Sequence, residues 1–417
     1  MNDGTSSVGG FADPAVFTSD HVKRSLHPCP WYFRLFASVA NNIENGALIF
    51  TLPTGAVIGF GDPHTREVGE IVLSRYDVAV RTLLGGDIGF FESFADGGWE
   101  SPNLPAALHV IALNTNQLQR GFHAMAVVEW IDRFRHRLRA NSKQGSKRNI
   151  AAHYDLGNAF YEKWLDGSMT YSSAKFETPD ASLDDAQLNK YRSLATHIDL
   201  KPEDSVLEIG SGWGGFAEFA AKNLGSRVTG LTLSKEQLNY SEERIFKLGL
   251  AEKVKFKLQD YRDLDQTFDK IASIEMFEAV GREYWPIYFD KVRNSLNPGG
   301  VAGFQIITIA DGLFNRYARA SDFIQKYVFP GGMLPSPTIL NREIERAGLT
   351  HKKAIAFGQD YARTLAEWHR RFLVSWDDIA TLGFDERFRK LWRFYLSYCE
   401  AGFKAGSTDV YQLTAVR

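Results

Sequence analysis

The stretch VLEIGSGWGGF, residues 206–216, constrains this chain more than any other. An apolar strand carries one acid, Glu208, and runs into a turn with glycines at 210, 212, 214 and 215. A helix opens immediately after, and glycines there let backbone approach a ligand closely. The same strand–helix alternation continues downstream. SVLEIG, RVTGLTL, KVKFKLQD, FDKIASIEM and VAGFQIITI read as strands. GGFAEFAAKNL, SKEQLNYSEERIFKLGL and GREYWPIYFDKVRNSL read as the helices between them. Strands and helices in this order predict a doubly wound α/β sheet. Beyond residue 310 the chain reads as long, helical and aromatic.

The glycine turn does not have the dinucleotide form. That form needs G-x-G-x-x-G and an acid about twenty residues on, to hold a ribose. Here the spacing is G-x-G-x-G, and the later segment is GLTLS, without an acid. The acid stands before the glycines, at Glu208. This suits a ligand that lacks a pyrophosphate and has a cationic, amino-acid-like end. S-adenosylmethionine is such a ligand, and Gln259-Asp260 at a later strand end are placed to read its adenine.

Upstream of the sheet, residues 1 to 20 read as a flexible tail. Residues 21–140 read as a small α+β domain: a helix through Phe33, Phe36 and Val39, a hairpin about Pro53-Thr54-Gly55, and a strand in EIVLSRY. Val127, Ile131, Phe134 and Leu138 repeat at helical spacing, and the rest of that helix is basic. Arg133, Arg135, Arg137, Arg139, Lys143, Lys147 and Arg148 face one acid across 132–148. Residues 141–149 read as a linker, and 150–417 as a catalytic domain. The formal net charge is −2, so overall charge selects no polyanion such as nucleic acid; the basic stretch is a local feature suited to an anionic membrane surface. Two cysteines build neither a metal site nor a disulfide scaffold. The N-terminus has no signal-peptide core, and no apolar run is long enough to span a bilayer. A cytoplasmic protein bound peripherally to the inner face of the membrane is expected.

Several stretches together resemble the cyclopropane-fatty-acyl-phospholipid synthase family of methyltransferases. They are HYDLGNAFYEKWLDGSMTYSS (153–173), VLEIGSGWGGFAEFAA (206–221), GLTLSKEQ (230–237), QDYRD (259–263), SIEMFEAVGREYW (273–285), FPGGMLPS (329–336) and FGQDYARTLAEWHRRF (357–372). The resemblance implies a class I methyltransferase fold, with an aromatic-rich helical C-terminal region. It also implies transfer of a methyl or methylene group from S-adenosylmethionine to a cis double bond of a phospholipid acyl chain, giving a cyclopropane or a methyl-branched unsaturated chain. It places Tyr171 and Ser172 over the cofactor and Gly210, Gly212 and Gly214 at its methionine end. Thr232, Ser234 and Gln237 fall at the ribose, and Gln259, Asp260 and Arg262 at the adenine. Glu278 is the family's active-site carboxylate, which with a tyrosine matching Tyr361 holds a bicarbonate base. Aromatic faces are expected to stabilise the cationic reaction, from Phe314, Tyr317, Phe323, Tyr361, Trp368, Phe372, Trp392, Tyr395 and Tyr398. A homodimer is also implied.

The bicarbonate site departs from the family. Ser173 stands for its cysteine, Ile307 for the histidine on the strand after Pro-Gly-Gly, and Ala279 for the histidine after the carboxylate. A buried anion short of partners is costly, which argues against bicarbonate. Glu278 is then expected to take the proton, with Tyr361 or Ser173 positioning a water. The competing readings are a small-molecule N- or O-methyltransferase on the same core and a non-catalytic lipid- or nucleotide-binding module. Absence of vesicle binding favours the first of these, and absence of cofactor binding the second.

Overall fold

The structure is a computed structural model and describes residues 13–123, 156–319 and 321–417. The expected basic helix and the 141–149 linker lie outside these residues. The chain divides into two compact units, one comprising residues 1–135 with 386–405, the other 136–385 with 406–417.

The first unit is a small α+β domain. Its sheet has β1 (Ala47–Thr51), β2 (Val57–Gly61), β3 (Val68–Leu73) and β4 (Trp99–Glu100) in the order β2-β1-β3-β4. The β1–β2 hairpin closes on the expected turn, where Leu52 N–H donates to Ala56 O at 2.8 Å. Helical structure begins earlier than the tail reading allowed, with a turn at Pro14–Phe17 and a helix at Ser19–Leu26. The C-terminal helix Glu386–Lys404 belongs to this unit, although it reads in sequence as part of a continuous catalytic domain. Phe394 packs on Phe91 and Phe94 at 5.1 and 5.7 Å, and Lys390 donates to Phe94 O at 3.2 Å. Trp392, Tyr395 and Tyr398 travel with that helix, and Tyr398 donates to Asp87.

The second unit carries a sheet of seven strands: β5 (Ser205–Ile209), β6 (Arg227–Thr232), β7 (Val254–Leu258), β8 (Phe268–Ile274), β9 (Leu296–Ile309), β10 (Thr350–Ala356) and β11 (Thr408–Val416). Their order is β10-β11-β9-β8-β5-β6-β7. β5 to β9 are mutually parallel, and β11 runs antiparallel to both β9 and β10. The tail beyond 310, read as helical, supplies β10 and β11 as well as helices.

Alternation along β5 sends side chains to opposite faces. Leu207 and Ile209 join a core with Ile271, Phe304, Tyr288 and Phe289. Val206 joins one with Leu194, Phe216 and Val228. Glu208, two residues on from Val206, turns to that second face, where the helix Leu183–His197 brings Lys190. β6 and β7 extend from one side of β5, and β8 begins the other half. The strand order reverses at β5 and β8, and a parallel sheet opens its ligand crevice at the C-terminal ends of such strands.

Candidate active site

Two turns meet at that crevice. The first follows β5. Gly210 and Ser211 donate backbone N–H to Leu231 O at 3.0 and 2.8 Å, which draws the turn beside β6. Gly212 has φ +52, and a Cβ there would meet nothing within 4 Å among the described residues. Glu208 Oε2 is buried without a hydrogen-bond partner among the described residues, and burial raises its pKa well above the usual carboxylate value against the pull of Lys190. An open glycine cradle beside an unsatisfied buried acid fits the methionine end of S-adenosylmethionine.

The other cofactor candidates divide by geometry. Thr232 donates its hydroxyl to Gln237 Oε1 at 2.9 Å, and Ser234 Oγ accepts from Gln237 N–H at 3.3 Å, capping the helix Lys235–Lys247. The three sit together at the end of β6. Gln259 follows β7 and donates its N–H to Thr232 O at 3.1 Å, so it stands next to that cluster. Asp260 and Arg262 hold one another through Arg262 Nε at 2.9 Å and Nη2 at 2.6 Å. The Arg262 guanidinium lies over the Tyr261 and Tyr284 rings. Tyr171 packs between Tyr161, Trp164 and Trp368, with ring centroids 5.5, 5.5 and 5.4 Å away. Ser172 Oγ accepts from the buried ammonium of Lys190 at 2.6 Å.

The second turn follows β8 and carries two carboxylates. Glu278 accepts from Ile307 N–H at 2.5 Å through one oxygen; the other, Oε2, is buried with no partner among the described residues. The FPGGMLPS run drapes over this residue, Met333 N–H donating to Glu278 O at 2.8 Å. Burial, and then repulsion from Glu275, push the Glu278 pKa up to about 8. Its carboxyl is therefore protonated at neutral pH.

Glu275, which carries no expected role in the sequence, is the more fully hydrogen-bonded carboxyl of the pair. Oε1 accepts from Ser173 N–H at 2.8 Å and from Gln305 Nε2 at 2.7 Å. Oε2 accepts from the Tyr361 hydroxyl at 2.6 Å. Burial raises its pKa, and Tyr361, Lys190, Gln305 and Ser173 oppose that shift. Its backbone lies in the left-handed region at φ +48, which costs a residue with a side chain roughly 1–2 kcal/mol. Two carboxyls three residues apart thus have different environments: burial raises both, and hydrogen bonds from Tyr361, Gln305 and Ser173 oppose the rise at Glu275, while Glu275 itself adds to the rise at Glu278.

Two expected roles change. The Ser173 hydroxyl donates to Ala174 O at 2.9 Å, so Ser173 reaches the site through its backbone N–H. On β9 the polar side chain at the site is Gln305, while Ile307 contributes only a backbone N–H. Tyr361, expected to act with Glu278, lies on the helix Gly358–Val374 and donates to Glu275 instead. The available signal for Glu275 and Gln305 was a polar residue in each otherwise apolar strand end.

The profile of the mycolic acid cyclopropane synthetases matches residues 141–413. The chain belongs to that family. It is 37% identical over 373 residues to the tuberculostearic acid methyltransferase UfaA1 of Mycobacterium tuberculosis, covering 87% of this chain and 86% of that one. It is 35% identical over 353 residues to the cyclopropane-fatty-acyl-phospholipid synthase of Escherichia coli K12, covering 84% and 88%. Among solved structures it is similar to the mycolic acid cyclopropane synthase CmaA1 complexed with SAH and CTAB, with TM-score 0.62 and 29% identity over 65% of this chain and 98% of that one. This member of the family is an S-adenosylmethionine-dependent, lipid-modifying methyltransferase, built on the class I methyltransferase fold. No helix among its described residues is long and apolar enough to cross a membrane.

Proposed function

We propose that this enzyme methylates the cis double bond of unsaturated phospholipid acyl chains, giving a cyclopropane or a methyl-branched unsaturated product. The observation that carries the reading is a hydrogen-bonded carboxylate beside the glycine turn: Glu275 accepts from Tyr361, whose ring lies 6.2 Å from Trp368, and the next residue, Met276, packs directly against Gly210. The cofactor supplies an electrophilic methyl group. Gly210, Gly212 and Gly214 hold its methionine end, and Thr232, Ser234, Gln237, Gln259, Asp260 and Arg262 its nucleoside. Tyr171, Trp164 and Trp368 exclude water from the acyl chain and present aromatic faces to the positive charge that develops on it. A carboxylate of the pair takes the proton released after methyl transfer.

Methylation and cyclopropane formation both occur in the names of relatives: one is named a tuberculostearic acid methyltransferase and another a cyclopropane-fatty-acyl-phospholipid synthase. Attachment at the inner face of the membrane is supported by exposed apolar side chains of the first unit. Trp31 (69% exposed) and Leu35 stand one turn apart on the helix Trp31–Ala40. The basic residues of 133–148 add attraction to anionic lipid.

The test incubates purified protein with S-adenosylmethionine and vesicles of dioleoyl phosphatidylglycerol. Products are read by mass spectrometry and proton NMR. A gain of one CH2 with upfield ring protons identifies a cyclopropane, and the same gain with alkene protons retained identifies a branched chain. No gain in mass on any cis-unsaturated phospholipid rejects the reading.

A further inference from the structure

We propose that Glu275 is the base of this reaction, a carboxylate of the protein itself standing where the family resemblance calls for a bound bicarbonate. The inference rests on the proposed alkene methylation and deepens it.

Three donors converge on Glu275 from three separate parts of the fold: Ser173 N–H before the helix Leu183–His197, Gln305 Nε2 from β9 and Tyr361 Oη from the helix Gly358–Val374. Two of these positions, 173 and 361, are ones the resemblance assigns to holding the anion. A carboxylate has about four acceptor positions, and three donors leave one open, on Oε2. Glu278 has no side-chain donor among the described residues and is held by backbone N–H groups alone, those of Ile307 and of Glu278 itself. Its neutral carboxyl suits it to donate rather than to accept a proton. The left-handed backbone at Glu275 points the same way, because strain of this kind is retained where a side chain must be aimed.

The step balances. The alkene π pair forms the new C–C bond to the sulfonium methyl while the C–S bond breaks with its pair to sulfur, and the acyl chain is left with a carbocation. Glu275 Oε2 then removes one proton. If that proton comes from the new methyl group, the C–H pair closes the ring. If it comes from a neighbouring carbon, the pair forms a double bond. Either way the proton resides on Glu275 and leaves to solvent, and bicarbonate is not consumed or required.

The experiment uses the full-length enzyme, dioleoyl phosphatidylglycerol vesicles and buffer stripped of carbon dioxide. Wild type is expected to turn over equally with and without added bicarbonate. Glu275→Gln is expected to lose roughly a hundredfold or more in kcat with S-adenosylmethionine affinity retained in calorimetry. Glu275→Gly relieves the left-handed backbone and opens room for a small anion. Added formate or bicarbonate is expected to restore turnover in that variant. Bicarbonate dependence of wild type, or undiminished turnover in Glu275→Gln, overturns the proposal. A readout without substrate separates this inference from the proposed function: the infrared difference between wild type and Glu275→Gln at pH 7. Loss of a carboxylate band supports Glu275 as a resting base, whatever the lipid result. Loss of a protonated carboxyl band overturns it. Wild type that yields no lipid product rejects the proposed substrate and leaves the infrared result to decide the base.

Discussion

Gln412 donates its side-chain amide to Gln305 Oε1 at 3.1 Å, and that bond turns the Gln305 nitrogen toward Glu275. The same Gln412 amide also donates to Lys190 O at 3.0 Å, so β11 and the helix Leu183–His197 both fix the direction of one donor. Gln412→Leu removes this control and leaves the Gln305 amide oriented through its nitrogen alone, which also donates to Ser173 O at 3.2 Å. Gln305→Leu removes the donor altogether. A hydrogen bond to an ionised group is worth about 1.5–3 kcal/mol, or roughly one to two pH units of carboxylate titration. Glu275 already titrates above the ordinary carboxylate range because of burial, and activity requires it ionised. Activity is therefore lost as pH falls through that pKa, and Gln305→Leu moves the acidic limb of the kcat profile upward. Gln412→Leu moves it the same way by less. A limb that stays in place in Gln305→Leu separates Gln305 from the base.

Tyr361→Phe removes the donor to Glu275 Oε2 while keeping the ring against Trp368, whose centroid lies 6.2 Å away. The expected loss in kcat is roughly tenfold to a hundredfold, from a single hydrogen bond to a charged acceptor. Cofactor affinity is expected to be unchanged in calorimetry, because the ring is kept and the hydroxyl removed is engaged by Glu275. A weakened cofactor with intact kcat contradicts this assignment.

Glu278 makes stability depend on pH with a sign opposite to that of a paired carboxylate. Its pKa is about 8 in the folded protein, against an ordinary value of 4.5. Between these values the folded state holds a proton that the unfolded chain has released, so stability falls as pH rises through the window. Gln mimics the protonated acid and retains an oxygen to accept from Ile307 N–H. Glu278→Gln is expected to match wild type in thermal unfolding near pH 4.5. It is expected to exceed wild type above pH 8. Equal melting temperatures at both pH values remove Glu278 as the source of the dependence.

The parallel half of the fold was legible because strands covered on both faces read as apolar runs between glycine turns. β10 was not legible: it is an edge strand of sequence THKKAIA, with Lys352 and Lys353 exposed, and charge on an edge hides its pattern. The membership of the helix Glu386–Lys404 in the first unit rests on contacts such as that of Lys390 with Phe94, 296 positions apart, which local pattern does not carry. In the site, Glu278 and Tyr361 stood out as parts of long family-like stretches. Glu275, Gln305 and Gln412 did not, since each is one polar residue within a strand or at its end. Their meaning arises only when β8, β9 and β11 lie side by side and the three side chains form one chain of hydrogen bonds.

The glycine turn offers a test that separates cofactor binding from folding. Gly212 and Gly214 both have positive φ, at +52 and +82, so alanine at either costs about 1–2 kcal/mol in backbone strain. Their surroundings differ. A Cβ on Gly214 comes within 2.9 Å of Phe256 Cζ and 3.1 Å of Ser241 Cβ, inside the packed layer between β7 and the helix Lys235–Lys247. A Cβ on Gly212 meets no atom of the described residues within 4 Å. Gly214→Ala is therefore expected to lower the melting temperature by more than the backbone term alone. Gly212→Ala is expected to lose only that term in the free protein, yet to weaken S-adenosylmethionine at least tenfold, because its methyl group enters the space the cofactor fills. Calorimetry and thermal unfolding on the same two variants check this. If Gly212→Ala bound the cofactor as tightly as wild type, the methionine end would have to lie elsewhere than against this turn.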